Sequence, residues 1–195
     1  MRRRVFDVLV SAGGLVIVVT LVVAGALGIW GYNFATSNVH NQLAQQQIVF
    51  PPAGSAALAS PKIGPYLDKY AGQQLTTGAQ AETYADHFIA VHLSELPQGG
   101  VYSKLSAASL ANPKDATLAA AAQTSFQGTT LRGLLLEGYA FSQFALIALW
   151  AAIVSFTLAL VMALLVLFGF RHSRRVPDSV ELMERNAPKQ PVATV

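Results

Sequence analysis

The stretch GYAFSQFALIALWAAIVSFTLALVMALLVLFGF, residues 138–170, contains no Asp, Glu, Lys or Arg. At about 1.5 Å of rise per residue, a helix of that length exceeds the roughly 30 Å hydrocarbon thickness of a bilayer. A second uncharged run, VLVSAGGLVIVVTLVVAGALGIW, occupies residues 8–30. Only a helix satisfies all its backbone polar groups within a single such segment, so both runs read as transmembrane helices. They also account for the composition, which is 53% hydrophobic and only 12% charged.

Arg2, Arg3 and Arg4 ahead of an apolar run are also how a secretory signal begins. Signal cores are only about 7–15 residues long, however, and the single Ala-x-Ala match, residues 24–26, falls inside the apolar run. An uncleaved signal anchor is the expectation. Arg171, Arg174 and Arg175 follow the second run, and Lys and Arg are retained on the cytoplasmic side. The expected plan is therefore a cytoplasmic N-terminus at residues 1–7 and a first span at 8–31. An extracytoplasmic helical domain with helix extensions follows at 32–143, then a second span at 144–170. A mostly disordered cytoplasmic tail at 171–195, with a weak helix near 179–185, completes it.

The formal charge of +3 and a pI near 9.3 come from these membrane-flanking arginines. The middle segment is close to neutral: Lys62, Lys69, Lys104, Lys114 and Arg132 stand against Asp68, Glu82, Asp86, Glu95, Asp115 and Glu137. Topology and the lipid bilayer explain the basic residues, so no nucleic-acid partner is expected. With no cysteine, disulfides and thiolate chemistry are excluded.

Beyond Trp30 the helical period persists through Tyr32, Val39 and Leu43, so the first helix is expected to project to about residue 46 and stop before Pro51 and Pro52. Pro65 and Gly72 bracket a short helix. Thr77 with Gln80 forms a capping-box pattern opening a helix over 78–96, whose apolar face is Ala81, Tyr84, Ala85, Phe88 and Leu96. Gly99 and Gly100 break the chain before a helix over 101–110. Asn112, Pro113 and Asp115 then start another, expected to run to Phe126, break at Gly128 and restart with Thr129 or Thr130 as cap. The fold class is thus an all-α membrane protein: a two-helix transmembrane hairpin with long projecting helices and a small helical extracytoplasmic domain.

The segments QLAQQQIVFPP, YAGQQLTTGAQAETYADHF and FQGTTLRGLLLEGYAF resemble a family of two-pass actinobacterial membrane proteins of unknown function, over residues 39–150. The resemblance implies a plasma-membrane protein and brings no catalytic or ligand-binding residues. Members often carry a name suggesting an aromatic ring-opening dioxygenase. Such an enzyme needs iron held by histidines and a carboxylate. Only His40, His87 and His92 lie between the two apolar runs, with no His-x-His or His-x3-His spacing.

No enzyme motif emerges. His87 and His92 diverge by about 140° on a regular helix, and His92 is expected to be buried on the apolar face. Glu82 and Asp86 read as a solvated face. No GxGxxG, GxxxxGK[ST] or GxSxG pattern follows a strand. No catalytic residue, metal or cofactor is therefore expected.

Small residues mark the expected helix-packing stripe: Ala148, Ala151, Ser155, Ala159 and Ala163 on the second span against Ser11, Gly14, Gly25 and Gly28 on the first. Glu137 stands just ahead of the second run. Aligning Trp30 with Gln143 as one interface sets it opposite residues 36–40, where Thr36, Ser37 or His40 is expected to donate a hydrogen bond to it and fix the register of the two helices. The other reading is a solvated carboxylate. The expected function is a non-enzymatic component that stabilises a larger membrane assembly through a membrane-protein partner. The alternative is an extracytoplasmic module binding or sensing a lipid, quinone or small molecule.

Overall fold

The computed structural model describes residues 3–175, with Arg3 by its backbone alone. The expected tail helix near 179–185 lies outside the described residues. The described chain is helical throughout, apart from turns and one isolated antiparallel bridge between Val49 and Gln74. Its α-helices are α1 (Arg3–Gln45), α2 (Gly64–Leu67), α3 (Gly78–Tyr84), α4 (Ala90–Ser94), α5 (Tyr102–Ala111) and α6 (Ala116–Ser173), joined in part by short 3-10 and π turns. Two of these, α1 and α6, are long and apolar enough to cross a membrane.

The chain divides into two compact units, one of Met1–Ile29 with Trp150–Val195 and one of Trp30–Leu149. In the first unit the N-terminal part of α1 runs antiparallel to the C-terminal part of α6. A Cβ on Gly14 would lie 2.7 Å from Cγ2 of Val166, one on Gly25 would lie 2.8 Å from the Phe156 ring, and one on Gly169 would lie 2.5 Å from Oγ of Ser11. Glycine at these positions lets the two backbones approach where lipid offers no hydrophobic incentive.

The buried seam of this unit follows a seven-residue repeat. Ser11, Gly14 and Gly25 are buried on α1, and Ala152, Ala159, Val166 and Ser173 on α6. The expected stripe advanced by four residues instead, and that is corrected: Ala159 is buried, Ser155, Ala163 and Gly28 are half-buried, and Ala151 is exposed. Four residues turn a helix through about 400°, so each step drifts about 40° and the stripe leaves the partner helix. Seven residues drift only about 20° the other way and stay on it.

The second unit is built around Val39 and Leu43 of α1 and Leu135 of α6, with Phe50, Leu58, Ile63, Leu67, Leu75, Ala81, Ala85 and Ile89 packed against them. Burying each of the larger side chains contributes about 1.5–3 kcal/mol. The segment after α1 is extended, as Pro51 and Pro52 require. Phe50 N donates to Gln73 O at 2.9 Å and Leu75 N to Ile48 O at 2.8 Å, which clamps the wrap shut. Gly72 adopts the positive φ of +69° that a side chain would resist.

The capping box forms at the start of α3. Gln80 N donates to Thr77 Oγ1 at 3.3 Å, and Thr77 N donates to Gln80 Oε1 at 3.1 Å. Between α3 and α4 the chain makes a π-helical turn, Ala85–Ile89. The wider turn advances the register, so Ile89 is buried and His92 is exposed, with its Nδ1 2.7 Å from the Phe88 carbonyl. The expectation of a buried His92 assumed a regular helix and is corrected.

Asp115 caps α6, accepting from the N–H groups of Thr117 at 2.9 Å and Leu118 at 3.1 Å. The helix then continues unbroken to Ser173. The expected break at Gly128 does not occur, and Thr129 and Thr130 cap nothing. Gly128 is instead a point of close approach: a Cβ there would lie 2.7 Å from Cδ2 of Leu93.

Candidate functional site

Within the second unit, α1 and α6 continue antiparallel. A Cβ on Gly31 would lie 3.9 Å from the Ala148 Cβ, and one on Gly138 would lie 3.7 Å from Cδ2 of Leu43. This register places Glu137 beside Gln42 and Leu43. Aligning Trp30 with Gln143 put it beside Thr36, Ser37 and His40, about two turns nearer the level of Trp30. The register-fixing contact is therefore corrected.

The three expected partners face elsewhere. Thr36 and His40 line a groove with Thr77, Gly78, Ser142 and Gln143, while Ser37 lines another with Trp30, Phe34 and Asn41. The sequence alignment failed because the two apolar runs differ in length: aromatic and small apolar residues continue on α6 opposite a part of α1 that is already polar. Ala148 keeps a packing role, half-buried and facing Gly31.

Glu137 opens into a groove of about 270 Å³ lined by Asn38 and Gln42 of α1, Gln46 in the turn that follows it, and Leu134, Glu137 and Phe141 of α6, with Val39, Leu43 and Gly138 as its floor. Asn38 and Gln42 share one face of α1 at four-residue spacing, and Gln46 adds a third amide from the turn beyond Gln45. Gln42 Nε2 donates to Asn38 Oδ1 at 2.9 Å, so the two amides are tied together along the groove. Among the described residues Glu137 has no ion-pair or hydrogen-bond partner. Arg132, one turn and a half earlier on α6, is taken: its Nη2 lies 2.7 Å from Asp86 Oδ1. Sequence reasoning singled out Glu137 but missed the groove, because the amides on α1 acquire meaning only once the register is known.

The histidines do not converge. His87 stacks on Tyr66 with ring centroids 3.5 Å apart and planes 4° apart, His92 tilts against Phe88, and His40 lies on α1. Among the described residues no three His, Asp or Glu side chains come together as a ligand set. The Tyr84 phenol is raised above its ordinary value of 10.0 by burial, its ring packing against Phe50 and Phe88.

A further surface lies on α5 and the first turns of α6. Leu110 is 79% exposed, and Tyr102 and Phe126, both exposed, pack with ring centroids 5.4 Å apart. No family model, no curated protein and no solved structure matches this chain.

Proposed function

We propose that the chain is a non-enzymatic, two-pass plasma-membrane protein whose helical domain stands outside the cell and stabilises a larger membrane assembly by contact. Arg2, Arg3 and Arg4 before one apolar run, and Arg171, Arg174 and Arg175 after the other, support cytoplasmic termini. The resemblance of three segments to an actinobacterial two-pass family belongs to the same proposal.

One observation carries the contact role. The domain closes its core with fully buried Phe50, Leu67, Leu75, Leu105 and Leu135, yet leaves Leu110, Tyr102 and Phe126 exposed together on α5 and α6. Aromatic residues in an exposed apolar patch of this kind mark contact surfaces. Affinity purification from native membranes in mild detergent tests the reading. Wild type should retain a stoichiometric membrane protein that is lost from the Leu110→Glu, Phe126→Glu double variant. A chain that leaves its native membrane alone would overturn it.

The second reading, a module binding a lipid, quinone or small molecule, is favoured by the groove at Glu137. It differs from the contact role in needing no protein partner.

A further inference from the structure

We propose that the Glu137 groove binds a primary ammonium ion carried on an apolar chain. This rests on the ligand-binding reading and is independent of any partner protein.

The charge of the groove selects a cation. Glu137 is its only ionisable residue, and the nearest arginine on α6, Arg132, is engaged by Asp86. An anion would meet an uncompensated carboxylate, whereas a cation would complete it.

The donor set selects the kind of cation. A calcium ion needs six to eight oxygens and a magnesium ion a near-ideal octahedron. One carboxylate with neighbouring amides on an apolar floor offers neither. A primary ammonium has three N–H donors, and the residues lining the groove carry acceptors for them in the two Glu137 oxygens and the side-chain carbonyl of Gln42, whose Nε2 is engaged with Asn38. Hydrogen bonds between ionised partners are about twice as strong as neutral ones. Phe141 also lines the groove, and an aromatic ring attracts an ammonium placed over its face. A quaternary ammonium carries no N–H and would forfeit the hydrogen bonds.

The floor selects the tail. Val39 and Leu43 are apolar and buried, and Gly138 adds no side chain over them, its Cβ position lying 3.7 Å from Cδ2 of Leu43. A volume of about 270 Å³ sits just below the usual range for small-molecule sites, roughly 300–1,000 Å³. It fits a short alkylamine, or the ethanolamine end of an aminophospholipid.

The test uses the full chain in detergent micelles, with native mass spectrometry for phosphatidylethanolamine, phosphatidylcholine and phosphatidylglycerol, and calorimetry for hexylamine and hexyltrimethylammonium. The expected result is a preference of at least about tenfold for the primary over the quaternary ammonium, lost in Glu137→Gln. Filling the floor with Gly138→Leu should abolish binding while keeping the charge. Binding of phosphatidylethanolamine without hexylamine identifies the lipid as source, and binding of hexylamine without the lipid identifies a free amine. Equal binding of primary and quaternary forms, binding of neither, or undiminished binding by folded Glu137→Gln would overturn the site. The primary-against-quaternary comparison is made on wild type, so the outcome stands even if a variant does not fold. Failure here leaves the Leu110 surface and its purification test untouched.

Discussion

Arg132 Nη2 on α6 lies 2.7 Å from Oδ1 of Asp86 in the π-helical turn. The pair joins residues far apart in sequence at the place where the helix register changes, and its side chains are 40% and 37% exposed. Partial exposure screens the attraction, so a double-mutant cycle with Asp86→Asn and Arg132→Met should give a coupling of only about 0.2–1 kcal/mol, measured by denaturant unfolding in micelles. A coupling above about 2 kcal/mol would mean that the pair behaves as a desolvated one.

Gly78 presents a sharper steric case. It is the first residue of α3, where alanine would ordinarily improve helix propensity by up to about 1 kcal/mol. A Cβ there would instead run into the Ser142 side chain and lie 3.3 Å from the Tyr139 Cα. Overpacking of this kind costs about 1–3 kcal/mol, so Gly78→Ala should lower stability rather than raise it. Adding Ser142→Gly should recover part of the loss. Thermal unfolding of the single and double variants decides the sign.

Tyr84 gives the fold a dependence on high pH. Burial against Phe50 and Phe88 disfavours the phenolate, so its folded value lies above the unfolded 10.0. Between those values the folded state holds a proton that the unfolded state has released. The stability is therefore fully present below pH 10.0 and declines as pH rises through the raised folded value. Tyrosinate absorbance should show a late-titrating group that is absent in Tyr84→Phe. Its persistence in that variant would assign the late group to another residue.

These sites differ in how far the sequence discloses them. The Thr77 and Gln80 capping box, the Asp115 cap and the turn at Gly72 were legible, because each is satisfied within a few residues of itself. Gly128 was read as a break because the residue it approaches, Leu93, lies on another helix. A glycine that ends a helix and a glycine that admits a neighbour look alike until the neighbour is placed. The π turn at Ala85–Ile89 has no Pro or Gly to announce it, and it reversed the burial expected for His92. At the candidate site, Glu137 was conspicuous as a carboxylate beside an apolar run. Its surroundings depended on an interhelical register that composition does not supply.

The register itself is the most direct test of the candidate site. A Cβ on Gly31 would lie 3.9 Å from that of Ala148, within the 3.5–4.5 Å separation that a disulfide requires. The chain contains no cysteine, so Gly31→Cys with Ala148→Cys introduces a single possible pair. It should oxidise readily. With a protease site inserted in the exposed segment near Gly54, the two fragments should stay joined until reduced. Cysteines at Ser37 and Glu137 should fail to join, because the contact of Gly138 with Leu43 sets Glu137 more than a turn beyond Ser37 along α1, and Ser37 lines a groove with Trp30 and Asn41. The opposite pattern, a bond between 37 and 137 and none between 31 and 148, would slide α6 along α1 by about two turns. That shift would carry Glu137 away from Gln42 and Leu43, and the ammonium groove would lose its acceptors along with its floor.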